Sequence, residues 1–391
     1  MKKRSVVIVG AGIAGLALAR FLERDGHKVS VVERAQDFSA QGHSIGFRGV
    51  GFQVMDLLGL RERVEATGRN YLVNRSQTMR GRPLRTTYYA DHAKAVGGNT
   101  TTQRGRLHEA LSENLPKAID LRLGLRPVEI RQTPKQVSVT LSDGQVLQAD
   151  LLVGADGANS EVRRLAMPGV ETLDFGGVYI GMTIKVEHGQ PVSDVTSYWG
   201  PGRLVALFPV DPGTMAVVVY QDDSYGPIPG DDLPESWATY FKRTFVGWAA
   251  PVRRVLDALK PGDDVFHDRI RQVPAQCAVA GRVVLVGDAG YCPTFFAGNG
   301  AALAAVGAYC LARCLKAHDD DTAALQDYEA RILPFAAGYQ ANARRMRATL
   351  FDRSPLKIVV RELGMKYMPQ AIFARNQRRH YRGEVQLSDV I

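Results

Sequence analysis

The stretch Val6-Val7-Ile8-Val9-Gly10-Ala11-Gly12-Ile13-Ala14-Gly15 constrains the fold more than any other part of the chain. Four consecutive apolar, β-branched residues read as a buried parallel strand, and the glycines that follow satisfy G-x-G-x-x-G. Gly10 permits the tight turn, Gly12 lets a pyrophosphate come close to the backbone, and Gly15 lets the next helix (Leu16 to Arg24) pack on the strand with its first N–H groups facing phosphate. A second strand, Val29 to Val32, ends in Glu33, at the spacing of a carboxylate that accepts hydrogen bonds from a ribose. That charge would repel a 2′-phosphate, so the loop suits FAD or NAD better than NADP. The expected nucleotide contacts are therefore Gly10, Gly12, Ile13, Ala14, Gly15, Glu33 and Arg34.

At 391 residues the chain is long enough for two domains. Its net charge of +9 raises the question of nucleic acid, but the arginines are dispersed, clustering only at Arg344-Arg345-Met346-Arg347 and from Arg375 to Arg382. No nucleic-acid motif accompanies them, and no nucleic-acid partner is expected. The opening Met1-Lys2-Lys3-Arg4 and its apolar run imitate a signal peptide, yet that run holds the dinucleotide fingerprint. Phe295 to Ala312 is apolar enough to suggest a membrane span, but Asn299 and its neighbouring glycines interrupt it, and a buried helix behind a cofactor explains it better. No membrane partner is expected. Four cysteines, Cys277, Cys292, Cys310 and Cys314, form no disulfide framework, which suggests a reducing, cytoplasmic setting. Cys310 and Cys314 share a helical face and read as small buried thiols. No histidine has metal-ligand spacing, and no metal is expected.

The α/β rhythm is broken twice. Residues 71–100 read as short strands, and from about Phe175 to His267 alternating strands at Val178 to Val186, Arg203 to Phe208 and Met215 to Tyr220 suggest an antiparallel sheet. Between these excursions lie a helix around Arg104 to Leu111, a hairpin at Ser142-Asp143-Gly144, and a buried strand Leu151-Leu152-Val153 running into Asp156 and a helix start near Ser160. The expected fold is α/β: a Rossmann-like domain (1–70, 101–172 and 271–330), an inserted, mostly antiparallel substrate domain (71–100 and 173–270), and a C-terminal helical segment (331–391).

Three motifs stand in order: Gly10-x-Gly12-x-x-Gly15 with Glu33, Asp156-Gly157-x-x-Ser160-x-x-Arg163, and Gly287-Asp288-Ala289 followed by Phe296-Ala297-Gly298-Asn299-Gly300. Together they resemble the group A FAD-dependent monooxygenases, the para-hydroxybenzoate hydroxylase-like enzymes. Gly287 to Gly300, Val306 to Tyr309 and the loop Ile45 to Gly49 are most similar to the tetracycline-inactivating monooxygenases. The resemblance implies bound FAD, with Asp288 on a ribityl hydroxyl and backbone N–H groups at Gly298, Asn299 and Gly300 at the edge of the flavin ring. Arg104, in Arg104-x-x-Leu107-x-x-x-Leu111, would contact FAD. Arg48 would meet the cofactor, a nicotinamide nucleotide or the substrate, or else be a solvated loop charge. Asp156 would serve the pyrophosphate region or simply build a turn. The chain departs from the family at Asn299 (usually Gln), Ala302 (Asn), Phe295 (Pro) and Gly290 (often Ala).

The implied reaction is reduction of the flavin by NADPH or NADH, addition of O₂ to give a C4a-hydroperoxide, and transfer of one oxygen atom to a polycyclic phenolic substrate such as a tetracycline-like compound. The protein supplies no nucleophile, and no catalytic side chain is assigned; its tasks are to position a small aromatic molecule and exclude water. Candidate pocket residues are Thr183, Arg203, Phe208, Phe295 and Phe296, each of which is equally an ordinary packing residue. The alternative is a flavin oxidase or dehydrogenase without oxygen transfer. A monomer or homodimer is expected.

Overall fold

The run Val6–Val9 forms an inner strand. In the computed structural model, which describes residues 2–38, 44–88, 99–186, 194–211, 213–230, 235–373 and 387–389, Ser5–Val9 pairs in parallel with Lys28–Glu33 on one side and Leu151–Gly154 on the other. Asp120–Leu123 and Val283–Leu285 extend this sheet in parallel, and Val279–Ala280 closes one edge antiparallel, giving six strands. A strand covered on both faces reads as a continuous apolar run, which is how Val6–Val9 reads. One face is covered by the helices Ile13–Arg24 and Gly300–Ala317, whose apolar residues join Ile8, Val31 and Val153 in the largest core. The other face is covered by a three-stranded antiparallel sheet, Pro127–Gln132, Val137–Leu141 and Val146–Ala149.

Gly300–Ala317 is the only helix among the described residues long and apolar enough to cross a membrane. Twelve of its residues, Ala302 to Leu315, are buried against the nucleotide-side core, as expected for a helix behind the site. Cys310 and Cys314 lie buried in it, and all four cysteines are free.

The second sheet has seven strands in the order Val265–Gln272, Leu173–Lys185, Thr214–Asp222, Arg203–Asp211, Val195–Gly200, Val73–Thr78 and Pro83–Tyr88. All its pairings are antiparallel except Val195–Gly200 with Val73–Thr78. Side chains alternate across it. Val178, Ile180, Met182, Val205 and Val217 face the helices Trp237–Thr244 and Ala250–Asp257, two elements inside the region whose sequence pattern marks only alternating strands. Tyr179, Ala206, Phe208, Val218 and Tyr220 face the opposite way, toward Phe295 and Phe296.

Two expected boundaries differ from the structure. Asn99–Gln103 pairs with Ser44–Arg48 and Gly68–Arg69 in a separate small sheet, outside the seven-stranded one. The helix Asp321–Leu350 runs unbroken through residue 330, because Asp320 caps its start and Pro334, the one interior breaker, does not end it. The basic N-terminus is a tether. The Arg4 side chain is fully buried, with Nε 2.7 Å from Asp321 Oδ1 and Nη1 donating to the Leu315 carbonyl at 2.8 Å. Lys2 and Arg282 also pair with Asp321, at 2.8 and 3.0 Å.

Candidate active site

The first glycine loop is shaped for close approach. A Cβ on Gly15 would lie 1.9 Å from the Gly10 carbonyl oxygen, and one on Gly10 (φ +103°) would lie 2.4 Å from that of Ala155. A Cβ on Gly12 would meet nothing within 4 Å, so that face of the loop is open. Gly12 caps the helix Ile13–Arg24 without a side-chain acceptor, and no acid occupies the first turn. The N–H groups of Ile13, Ala14 and Gly15 belong to a helix start whose first amides lack intrahelical acceptors, the arrangement that binds phosphate. Glu33 Oε2 accepts from Ala11 N at 2.8 Å and Oε1 from Ala35 N at 2.9 Å. It therefore holds the loop closed, and its remaining acceptor sites are left for a ribose. Arg34 is exposed at the strand end. His108 completes the loop, with Nε2 2.6 Å from the Ala11 carbonyl; burial lowers its pKa, favouring the neutral ring. No sequence motif marks that contact.

Asp156 is a turn residue. Its Oδ2 accepts from Glu161 N (2.7 Å) and Val162 N (3.1 Å), and its Oδ1 accepts from the Ser160 hydroxyl, so both oxygens are spent at the start of the helix Glu161–Ala166. Of the two roles open in the sequence, the structure places the carboxylate in the structural one. Arg163 carries that order onward: Nη1 donates to the Ala289 carbonyl at 2.7 Å and Nη2 to that of Ala158 at 2.6 Å. The Asp156 motif thus buttresses the loop that bears Asp288.

Asp288 follows Gly287, whose φ of +68° turns the chain from strand Val283–Leu285 into the one-turn helix Asp288–Tyr291. Burial raises the Asp288 pKa, and the charge of Arg104, first residue of the helix Arg104–Ser112, works against that rise. The position a Gly300 Cβ would take is 3.7 Å from Asp288 Oδ1. Asp288, Arg104 and the start of the helix Gly300–Ala317 are therefore neighbours. Arg48 joins them: its Nε donates to Asn299 Oδ1 at 2.8 Å and its Nη2 to the Gly298 carbonyl at 3.3 Å. It is no solvated loop charge but the clamp on the Gly298-Asn299-Gly300 turn, and Asn299 is buried beneath it. All of these groups fit an FAD: an uncapped helix start for pyrophosphate, two carboxylates at strand ends for hydroxyls, and a glycine-bracketed turn at a second helix start for the ring.

Beside this turn rises an aromatic wall. Phe295 stacks on Tyr179 with ring centroids 4.3 Å apart and planes 11° apart, and Phe296 stacks on Tyr220 at 5.2 Å and 24°. Tyr220 donates to the Phe295 carbonyl at 3.2 Å. Phe266 packs edge-on to Tyr179, and Phe351 edge-on to Phe296. The segment is held in a costly conformation: Thr294, with φ +87° and ψ 163°, occupies backbone space that only glycine visits readily, at about 1–3 kcal/mol. Burial pushes the Tyr179 and Tyr220 phenols well up, so both stay protonated.

The expected pocket residues divide by strand parity. Thr183 lies on the side of Tyr179, where Gln103 Nε2 donates to its hydroxyl at 3.4 Å. Phe208 lies on that side too, against Tyr71 at 5.8 Å. Arg203 does not. Five residues from Phe208, it points to the helix-covered face, where its guanidinium sits 3.5 Å from the Tyr225 ring centroid and donates to the Thr244 carbonyl at 2.7 Å. Odd spacing along a strand puts two side chains on opposite faces, so Arg203 and Phe208 cannot share a pocket. Tyr179, Tyr220 and Phe266 went unnoticed because a lone aromatic in a strand looks like core. A polar cavity of about 340 Å³ opens beside Thr183's partner Gln103, lined also by Ser44, Arg69, Tyr71, Arg106 and Asp211.

Comparison with known proteins shows the family to which the chain belongs. Residues 3–343 match the family described as FAD binding domain. The chain is 30% identical over 361 residues to the FAD-dependent monooxygenase asL6 of Sarocladium schorii, covering 84% of each. It is 31% identical over 359 residues to 3-amino-4-hydroxybenzoate 2-monooxygenase of Streptomyces cremeus, covering 87% of this chain and 86% of that one. Among solved structures, Klebsiella pneumoniae HpxO complexed with FAD and uric acid superposes with a TM-score of 0.86 at 23% identity over 97% of each chain. The tetracycline destructase Tet(55) superposes at 0.80 and 23% over 98% of each. Two glycine loops, two strand-end carboxylates and an aromatic wall are thus set in a fold these proteins share, and the chain belongs to the FAD binding domain family, as an FAD-dependent monooxygenase.

Proposed function

We propose that the chain inserts one oxygen atom from O₂ into a flat, polycyclic phenolic substrate, using NADPH or NADH as reductant, and that tetracycline-like compounds are the first class to test. The observation that carries this reading is the stacked pair of rows, Phe295 on Tyr179 and Phe296 on Tyr220, standing beside the Gly298-Asn299-Gly300 turn. A wall of parallel rings favours a planar, electron-rich guest that can stack against it or meet it edge-on. The solved relatives include tetracycline destructases and an HpxO holding uric acid, and the curated ones include an aminohydroxybenzoate monooxygenase; all of these names describe ring compounds.

When bound, the flavin supplies the hydride acceptance and the oxygen transfer. The chain's own residues bind and orient. The N–H groups of Ile13, Ala14 and Gly15 hold the pyrophosphate, Glu33 a ribose, and Asp288 the ribityl chain beside Arg104. Arg48 fixes the Gly298–Gly300 turn. Tyr179, Tyr220, Phe208, Phe295 and Phe296 exclude water and position the guest, and Thr183 with Gln103 offers polar contacts at its rim. Their protonated phenols leave Tyr179 and Tyr220 as neutral hydrogen-bond donors through the physiological range.

The test is a product mass spectrum after the FAD-loaded protein, NADPH and air are incubated with a panel of polycyclic phenols that includes a tetracycline. A substrate-dependent gain of one oxygen atom is expected. Oxidised product with unchanged oxygen content would instead identify an oxidase or dehydrogenase on the same cofactor site.

A further inference from the structure

The helix Pro355–Tyr367 is amphipathic in the wrong sense for a packed helix. Leu356, Val359, Val360, Leu363 and Tyr367 follow one another at spacings of one, three and four residues, which places all five within about 100° of arc on one side. All five are exposed: Leu356 at 73%, Tyr367 at 66%, Val360 at 61%, and Val359 and Leu363 at 51% each. The opposite side holds Ile358, Arg361 and Met365, half-buried against the second sheet. Arg361 lies 5.5 Å from the Trp199 ring centroid, and Arg85, on the edge strand Pro83–Tyr88, donates to the Met365 carbonyl at 2.6 Å. The helix is thus fixed by its polar and mixed side and shows its apolar side outward.

Charge says what that ridge is built to meet. Lys366 and Lys357 flank it on either side, Lys357 also pairing with Asp352 at 3.1 Å. From Asp352 to Gln386 the sequence carries eight Lys or Arg against Asp352, Glu362 and Glu384, so these 35 residues hold five of the chain's nine net positive charges. A second copy of this chain is a poor occupant. Pairing two such helices across a two-fold axis would bring their basic margins together, and a ridge about 20 Å long and 10 Å wide falls well short of the roughly 800 Å² each partner gives to a stable interface.

We infer that the helix Pro355–Tyr367 lies on the surface of an anionic lipid bilayer, its five exposed apolar side chains inserted at the headgroup boundary and its basic flanks on lipid phosphates. A basic amphipathic helix with an outward apolar face has the composition of an interfacial anchor, and it needs no spanning segment. This departs from the expectation of no membrane partner, which rested on spanning segments alone. It is independent of the substrate proposed above.

Co-sedimentation of the FAD-loaded full chain with vesicles tests it. Binding is expected to vesicles of equal phosphatidylglycerol and phosphatidylcholine, and to be much weaker with phosphatidylcholine alone or at high salt. Val360→Glu/Leu363→Glu should lower partitioning at least about tenfold, and Lys357→Gln/Lys366→Gln about thirtyfold, which is about 1 kcal/mol per basic residue. Both variants should keep their bound flavin and melting temperature, since Val360, Leu363 and Lys366 point outward and the exposed Lys357–Asp352 pair contributes little to stability. The inference is overturned if the wild type ignores anionic vesicles, or if Val360→Glu/Leu363→Glu binds them as well as the wild type, which would leave the basic tail as the sole attraction. It is equally overturned if sedimentation velocity shows a dimer that Val360→Glu/Leu363→Glu dissociates.

Discussion

The two large sheets contribute to one site by different means. The six-stranded sheet offers backbone: open amides at Ile13–Gly15, carbonyl-close turns at Gly10 and Gly15, and carboxylates at strand ends. The seven-stranded sheet offers side chains, chiefly Tyr179, Tyr220, Thr183 and Phe208, selected by nothing more than the parity of a strand. A site made of backbone tolerates only glycine at certain positions and so leaves a pattern in the sequence. A site made of side chains leaves none until the register is known.

The strongest way to break the comparison is to unfold one half without the other. Asp321 holds the fully buried Arg4, and Asp321→Ala would leave that guanidinium without its carboxylate, at about 3 kcal/mol of stability. Trp199, Trp237 and Trp248, the chain's three tryptophans, all belong to the seven-stranded region. Urea titration followed by tryptophan emission and by flavin release therefore reads the two halves separately. Coincident midpoints, both lowered by Asp321→Ala, are expected of one cooperative unit; a shift in flavin release alone would show two. Acid acts on the same group. Burial pushes the Asp321 carboxyl up, but hydrogen bonds from Lys2, Arg4 and Arg282 outweigh it and hold the pKa down to about 2. A depressed carboxyl stabilises the fold above its unfolded pKa of about 4, and that contribution should fade as pH falls from about 4 to 2.

Next in size is the glycine loop. Gly15→Ala drives a methyl group into the Gly10 carbonyl and should weaken FAD retention on the order of a hundredfold, about 3 kcal/mol, as read by flavin absorbance after gel filtration. Gly12→Ala meets no protein atom, so it should leave the apo-protein's stability unchanged and still impair FAD binding. Equal losses of stability in both would remove the pyrophosphate from Gly12.

On the other sheet, Tyr220→Ala should raise KM about tenfold and divert more NADPH to hydrogen peroxide, while flavin content holds. If flavin content falls instead, the wall belongs to the cofactor rather than the substrate. The smallest effect is expected at Arg203→Met, which changes the helix-covered face alone: kcat/KM should stay within about twofold. A larger change would place Arg203's face in communication with the site.

The same contrast explains what could be read without coordinates. The parallel strand Val6–Val9, the glycine loop after it and the acid Glu33 at the next strand's end followed from local rules: apolar runs and glycine spacing. Arg203 was misplaced because the strand was recognised but its facing was not. Arg48 stayed ambiguous because its acceptors, Asn299 and the Gly298 carbonyl, lie some 250 positions away. Asp156 offered two roles until its acceptor sites could be counted. The helices Trp237–Thr244 and Ala250–Asp257 were hidden by a region of otherwise alternating pattern.

The helix Asp321–Leu350 has a consequence for motion. Its first residue is bonded to Arg4 beneath the six-stranded sheet, while Arg344 donates to Gln272 Oε1 at 2.8 Å and Arg347 to the Phe175 carbonyl at 2.7 Å, both in the seven-stranded one. Thirty residues of helix make a rod about 45 Å long, riveted at both ends. Such a rod forbids the sheets to slide apart along its axis but lets them rock about it, with a soft spot at Pro334, where one backbone hydrogen bond is missing. Opening for a guest would then be a hinge-like swing rather than a separation, and the strand residues Tyr179 and Tyr220 would part from Phe295 and Phe296 beside the flavin turn in the manner of a book held by its spine.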